Sequence, residues 1–398
     1  MPPLVFRKGL DMKAAVADEL AAAYHSTVVD AVRADGYVRR TGRLTIHLAK
    51  EFGFCYGVDR AVDYAYQTRK RFPDKRVFLT GEIIHNPHVN DQLRGRGVRI
   101  LTDEAEQTTE IAPEDVVILP AFGVSLEELA RLEQRGCTLV DTTCGSVLNV
   151  WKNVRRYAKD GFTSIIHGKV HHEETQATAS QATAFPGAHY LVVRDEEQAQ
   201  IVCDFIRQPG DPAAFLAAFA PGACSPGFDP TQHLERVGCA NQTTMLMSES
   251  LRVGEMVRAA MRDRYGEAET AVRFRAFDTI CSATQERQDA VEALLASERL
   301  DLAIVVGGYN SSNTCNLARI CADHVPTYHI ANPACLQEDG SIRHRPIGAP
   351  STTALPEQIT GNWLPAGSVT IGLTAGASTP NSIVGEVIER LERLAIPS

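Results

Sequence analysis

From Leu44 onward, short β-branched runs alternate with longer stretches in which apolar residues recur at helical spacing. Strand-like runs fall at 43–48, 77–79, 116–119, 163–166, 302–306 and 369–373. Strands that alternate with helices build βαβ units and parallel sheets, so the pattern predicts an α/β fold. Ahead of it, 12–35 reads as one amphipathic helix ending at Gly36, an accessory N-terminal extension spanning 1–43. Two stretches break the alternation. Residues 208–232 are dense in Pro and Gly and predict an irregular surface insertion, and 338–358 predict a second surface run.

The pattern also repeats. Cys55, Cys144 and Cys281 each follow a strand-like run (43–48, 137–140, 274–277) and precede a helical one. Each proposed unit has a second strand ending in a polar loop, carrying His85 and His88, then His171, His172 and Glu174, then Asn310, Ser311, Ser312 and Asn313. Each has a third strand with a small-residue loop before a helix, reaching Ser125, Thr243 and Ser378. The division expected is 44–143, 144–280 with the 208–232 insertion, and 281–398. Ligands of open α/β sheets bind at the carboxyl ends of strands. Three such domains facing inward would therefore gather nine loops around one cavity.

Composition narrows the class. With 44% hydrophobic and 22% charged residues in 398, the chain is neither disordered nor a fibrous repeat. No uncharged apolar run approaches the roughly 18 residues of a membrane helix. A formal charge of −9 disfavours a nucleic-acid coat. The acids Asp11, Asp18, Glu19, Asp30 and Asp35 fit neither a secretory nor a transit peptide, so the expected location is cytoplasmic. Ten cysteines are too sparse for a disulfide scaffold and point to metal, catalysis or core packing.

Three thiolates from three domains suit a soft-ligand cluster. Three cysteines rather than four would leave one iron of an iron–sulfur cluster open; the competing reading is three packing cysteines. Cys137, Cys203, Cys224, Cys239, Cys315, Cys321 and Cys335 share no such context and read as structural. The second and third loops offer His85, His172, Ser311, Ser312, Asn313, Thr243 and Ser378. Imidazoles, hydroxyls, carboxamides and helix amides together suit a phosphate or diphosphate, although Ser311 or Asn313 could equally be a helix cap. No Walker loop is present. Glu174 is the carboxyl chosen as general acid, with neighbouring Glu173 read as an exposed helix-start carboxylate; spacing does not separate the two.

The motifs Phe-Cys55-Tyr-Gly-Val, Glu-Ile-Ile-His85-Asn, Asp-Thr-Thr-Cys144, His172-Glu-Glu174, Gln242-Thr243-Thr, Asp-Thr-Ile-Cys281, Asn-Ser311-Ser312-Asn313 and Thr-Ala-Gly-Ala-Ser378 resemble the LytB (IspH) family of 4-hydroxy-3-methylbut-2-enyl diphosphate reductases, on its plant and cyanobacterial side. The resemblance implies a trefoil of three α/β domains around a [4Fe-4S] cluster held by Cys55, Cys144 and Cys281 with one open iron. It implies reductive dehydroxylation of an allylic diphosphate in the non-mevalonate isoprenoid pathway, with electrons from a donor such as ferredoxin or flavodoxin. It assigns diphosphate contacts to His85, His172, Ser311, Ser312, Asn313 and Ser378, the proton donor to Glu174 and an active-site hydroxyl to Thr243. One position departs: Phe122 stands where many bacterial members have a histidine, so His88 or Lys169 is a candidate substitute charge. His171 competes with His172 for one assignment. Alternatives are a quinolinate-synthase-like enzyme, which would call for inward arginines, and an iron–sulfur sensor, which would call for a basic DNA-binding helix.

Overall fold

A computed structural model describes residues 4–101, 111–277, 279–349 and 357–395. Three sheets carry the fold. The first runs β1 (Val5–Phe6), β7 (Thr138–Asp141), β6 (Val116–Leu119), β4 (Val77–Leu79) and β5 (Val98–Ile100), parallel throughout. The second, also parallel, runs β11 (Phe274–Ala276), β10 (Val237–Asn241), β8 (Thr163–His167) and β9 (Tyr190–Val193). The third runs β13 (Thr327–Ile330), β12 (Leu302–Val306), β16 (Val369–Ala375), β3 (Leu44–Leu48) and β2 (Val38–Thr41), with β2 antiparallel. A separate antiparallel pair joins β14 (Ile342–His344) to β15 (Gln358–Thr360). Strands β6, β8 and β12 are buried at every position, as helices on both faces require. The fold is the expected three-domain α/β architecture.

Sheet membership does not follow chain order. The expectation placed 44–48 at the start of the first domain, yet β3 lies in the third sheet, in register with β16 through Leu44↔Val369 and Leu48↔Leu373. The helix after it, Tyr56–Arg71, packs Ala61, Val62 and Ala65 on the first sheet's Val77 and Leu79. Cys144 and Cys281 sit at equivalent junctions. The Gly145–Lys159 helix leaves the first sheet and buries Val150, Val154 and Tyr157 in the second domain's core, and the Ser282–Ser297 helix leaves the second and buries Val291 against Ala303 and Val305 of the third. Each cysteine thus marks the point where the chain passes from one sheet to the next.

The N-terminal extension is two helices, Lys13–Tyr24 and Thr27–Ala34, rather than one. Ser26 ends the run: its hydroxyl accepts from Val29 N at 3.3 Å, which caps a new helix and leaves His25 extended. Nor is the segment accessory. Val16 and Tyr24 enter the first core, Val29 and Val32 the third. The 208–232 stretch likewise departs from a purely surface insertion, because Phe215, Phe219 and Phe228 are buried in the second core; Pro and Gly set its turns while the three aromatics anchor it. In the 338–358 run Ile342 is buried within β14, and residues 350–356 lie outside the described residues. No helix among the described residues is long and apolar enough to cross a membrane.

Candidate active site

All three cysteines are helix N-caps. Cys55 Sγ accepts from Val58 N at 3.4 Å and Cys281 Sγ from Thr284 N at 3.3 Å, while Cys144 starts the Gly145–Lys159 helix without a side-chain cap bond. Three helix N-termini, each favouring negative charge, therefore point at one space. Gly57 shows how closely the sulfurs converge. A Cβ added there would sit 2.5 Å from Cys144 Sγ and 3.9 Å from Cys55 Sγ. Cys281 lines the same cavity, and all ten cysteines are free of disulfides. Burial pushes the Cys281 thiol up to about 11. A cation among the sulfurs would reverse that preference, so three soft donors free of disulfides at three helix N-termini fit an iron–sulfur cluster. No other cysteine lines this cavity among the described residues. Cys137, Cys203, Cys239, Cys321 and Cys335 are buried in the cores.

Every predicted site residue lines this one cavity: Cys55, His85, Cys144, His172, Glu174, Thr243, Cys281, Ser311, Ser312, Asn313 and Ser378. His172, rather than the exposed His171, is the inward imidazole, because it caps the Glu173–Ala182 helix and its Nδ1 accepts from Glu174 N at 3.2 Å. That bond fixes the tautomer. The ring proton lies on Nε2, which faces His85 Nε2 at 3.3 Å. Burial first, then the charge of His85, lowers His172 to about 3, so it is a neutral donor. His85 is the opposite case. Burial alone would lower it, but Glu173 Oε2 at 3.4 Å and Glu82 Oε2 at 3.1 Å raise it to about 9. Two Nε2–H groups thus face each other, and of the two only that of His85 lies within ion-pair distance of a carboxylate, the half-exposed Glu173. An anion's oxygen would satisfy both.

The rest of the cradle is built at the start of the Ser312–Ala322 helix. Ser311 caps it, with its hydroxyl accepting from Thr314 N at 3.4 Å and from Ser378 Oγ at 3.4 Å. Asn313 Oδ1 accepts from Ala377 N at 3.0 Å, which turns Nδ2 into the cavity as a buried donor with no partner. Free helix amides, hydroxyls and an orphaned carboxamide donor are the fittings of a phosphate site. Gly308 is required here, since a Cβ on it would lie 2.3 Å from His85 O.

Opposite the cradle, Glu174 is 1% exposed, and its two carboxylate oxygens accept from Thr243 N at 2.6 Å and Thr243 Oγ1 at 3.0 Å. Burial raises it to about 7 in spite of those bonds. Glu173, by contrast, is held at about 2 by His85, against the effect of burial. Environment therefore separates the two neighbours that spacing could not: one is a proton-holding acid, the other a counter-ion.

Phe122 lies flat on His85, with ring centroids 4.2 Å apart and an interplanar angle of 20°. Of the two candidate substitute charges, His88 packs against Tyr24 and does not line the cavity, whereas Lys169 Nζ donates to Ser312 Oγ at 3.0 Å. Sequence reasoning gave no role to Glu82, Asn310 or Gln242. Asn310 Nδ2 donates to Glu82 Oε2 at 2.8 Å, and Gln242 joins Lys169 N, Thr175 Oγ1, Thr244 Oγ1 and Ser312 Oγ. All three stand inside motifs of the resemblance, Glu82 in Glu-Ile-Ile-His85-Asn, Gln242 in Gln242-Thr243-Thr and Asn310 in Asn-Ser311-Ser312-Asn313, which was the available signal.

The family model described as LytB protein matches residues 46–392. The chain is 48% identical over 396 residues to a 4-hydroxy-3-methylbut-2-enyl diphosphate reductase of Gloeobacter violaceus, covering 98% of this chain and 92% of that protein. It is 48% identical over 392 residues to the reductase of the same name from a Synechococcus species, covering 98% and 95%. Among solved structures it resembles an (E)-4-hydroxy-3-methyl-but-2-enyl diphosphate reductase described as the terminal enzyme of the non-mevalonate pathway, at TM-score 0.52 and 27% identity over 87% of this chain and 99% of that one. The corresponding reductase structure from Plasmodium falciparum gives TM-score 0.63 at 21% identity over 90% and 89%, a likeness of fold.

Proposed function

This chain belongs to the LytB family, and from that premise we propose how the cavity lined by the three cysteines carries out the family's reaction. The chain is an oxidoreductase of non-mevalonate isoprenoid synthesis. It removes the allylic hydroxyl of (E)-4-hydroxy-3-methylbut-2-enyl diphosphate to give isopentenyl and dimethylallyl diphosphates. Two electrons and two protons enter and one water leaves. The family depends on iron–sulfur chemistry, and the residues that would hold a [4Fe-4S] cluster here are Cys55, Cys144 and Cys281, with one iron left without a protein ligand. When bound, that cluster supplies the electrons and a Lewis-acidic site for the substrate's hydroxyl.

The protein's own groups do the rest. Protonated His85, the Nε2–H of His172, Ser311, Ser312, Ser378 and Asn313 Nδ2 bind the diphosphate, and the first-turn amides of the Ser312–Ala322 helix orient it. Burial of these groups keeps water from the reacting carbons. Glu174 holds a proton on the oxygen facing Thr243 Oγ1. Donation from that oxygen to Thr243, and from the Thr243 hydroxyl into the cavity, delivers the proton to the leaving oxygen. Thr243 N, bonded to the other carboxylate oxygen, keeps the pair aligned through the transfer.

One observation carries the reading: a buried acid poised near neutrality and an unpartnered amide donor share a cavity with three convergent sulfurs. The test is anaerobic purification with iron and acid-labile sulfide analysis, then a reductant-driven assay on the hydroxylated diphosphate. About four irons per chain and conversion to the two isomeric products are expected. A fully loaded protein that leaves the substrate untouched would overturn the reading.

A further inference from the structure

The cysteine that closes each domain junction is followed by a residue open to solvent: Tyr56, 83% exposed, Gly145 and Ser282. The sulfurs line the cavity while the next residue along the chain is exposed at all three positions, so the chain reaches solvent one residue past each sulfur. From that rim the Gly145–Lys159 helix carries a stripe of exposed side chains outward. Leu148, 44% exposed, is followed by Lys152, Arg156 and Lys159 at i+4, i+8 and i+11, with Arg155 beside them. The helix contains no acidic residue. Its C-cap Asp160 is engaged by Arg275 at 2.5 Å, and among the described residues no carboxylate lies within ion-pair distance of Lys152, Arg155, Arg156 or Lys159. Arg60, whose guanidinium donates to Thr143 O at 3.1 Å, adds a cation at the same junction. Asp59 is the one acid in the first turns of the three cysteine-capped helices. On a chain of formal charge −9 this is a local reversal of sign.

The reductase reading, on which this inference rests, requires two electrons per turnover, and they must reach the sulfurs while substrate fills the cavity. We infer that Tyr56, Leu148 and the Lys152–Arg155–Arg156–Lys159 stripe form the docking surface for an acidic one-electron carrier protein, which delivers its electrons across the exposed rim in two successive encounters. The apolar side chains supply the small dry centre of a transient redox contact, and the basic stripe steers an acidic partner and sets its orientation. Each encounter transfers one electron from the reduced carrier, which leaves oxidised by one. Two encounters supply the two electrons that, with two protons, convert one allylic hydroxyl to water.

The experiment compares the loaded wild type with Lys152→Glu/Arg156→Glu and with the control Arg299→Glu, an exposed basic residue outside this surface. Reduced [2Fe-2S] ferredoxin is the protein donor and the methyl viologen radical the small one; binding of oxidised ferredoxin is titrated calorimetrically at two salt concentrations. The double variant should show about tenfold higher KM for ferredoxin and about tenfold weaker binding, both with flattened salt dependence. Its methyl viologen rate should stay within about twofold of wild type, and Arg299→Glu should behave as wild type. Unchanged ferredoxin KM and binding in the double variant would overturn the proposal, as would loss of heparin binding with ferredoxin binding intact, which would make the stripe a polyanion site. Failure of the reductase reading looks different, because wild type would then be idle with methyl viologen too. In that case the calorimetric titration alone decides whether the surface docks the carrier.

Discussion

Thr243 offers both of its donors to one carboxylate, with its N–H 2.6 Å from Glu174 Oε1 and its hydroxyl 3.0 Å from Oε2. When Glu174 is protonated on Oε2, that oxygen takes the donor side of the same 3.0 Å bond and the Thr243 hydroxyl is released to donate into the cavity, so the pair can hold a proton and pass it on. General acids of this kind contribute about 10² to 10⁴ in rate. Glu174→Gln should therefore lose about that factor in kcat while binding iron and sulfide as wild type. Thr243→Val keeps the backbone N–H and loses the relay, so it should fall by a comparable factor with KM within about threefold. A Thr243→Val enzyme that turns over normally would remove Thr243 from the proton path.

Burial places Glu174 at about 7, well above its ordinary 4.5. The acid works protonated, so kcat should be high below that value and decline on the alkaline side through about 7, and the residual activity of Glu174→Gln should lack this limb. Stability carries the same sign. The folded state keeps a proton that the unfolded chain gives up near 4.5, so ionisation costs the folded state increasingly as pH rises from about 4.5 to about 7. Glu174→Gln should consequently gain stability relative to wild type at pH 8 compared with pH 4, read by denaturant midpoints at both.

How much of this was readable beforehand follows from the range of the forces involved. The strand-to-helix turns holding Cys55, Cys144 and Cys281 are local, written by β-branched runs, cap positions and helix starts, and they stood in the sequence. The sheet of β3 did not, because Leu44–Leu48 satisfies its pattern equally well beside Val77 or beside Val369, and only the closing of the third sheet decides. Ser26 ended a helix that alanine spacing would have continued. In the site, residue types were legible and their charge states were not. Glu173 and Glu174 differ by burial and by partner, His85 for the first and Thr243 for the second, and neither is a property of neighbours along the chain.

His85 keeps its proton against burial through Glu173 and Glu82. Its positive charge is present below about 9 and is lost as pH rises through that value, so the wild-type KM for the diphosphate should climb there. Glu173→Gln removes one of the two carboxylates. The climb should then begin at lower pH, while kcat at saturating substrate changes little. Identical pH profiles of KM in the two proteins would show that Glu82 alone suffices.

Lys169 is half-buried, donates to Ser312 Oγ at 3.0 Å, and is lowered from its ordinary value by desolvation, with Arg345 and Arg319 contributing in the same direction. A cation behind the serine makes its hydroxyl a better donor to a phosphate oxygen. Lys169→Met retains the length of the stem and discards the charge, and KM should increase about tenfold with kcat within about twofold. Competitive inhibition by inorganic diphosphate should weaken by the same factor. Weakened substrate binding with unaltered diphosphate inhibition would place the lysine's effect elsewhere.

Phe122 cannot donate to phosphate, yet its place is not vacant of function, because its face covers the imidazole of His85 at 4.2 Å. The electron-rich face of an aromatic ring attracts a cation by about 0.5 to 2 kcal/mol, more when both are desolvated. The residue therefore helps the two carboxylates keep His85 charged and holds the ring edge-on to His172, with centroids 5.0 Å apart. Phe122→Leu preserves apolar bulk and removes the quadrupole. It should raise KM about two- to tenfold and move the alkaline climb of KM to lower pH, in the same direction as Glu173→Gln. Phe122→Tyr keeps the face and should leave that climb in place. If leucine and tyrosine behave alike, the stack is packing only, and His85 owes its charge to Glu82 and Glu173.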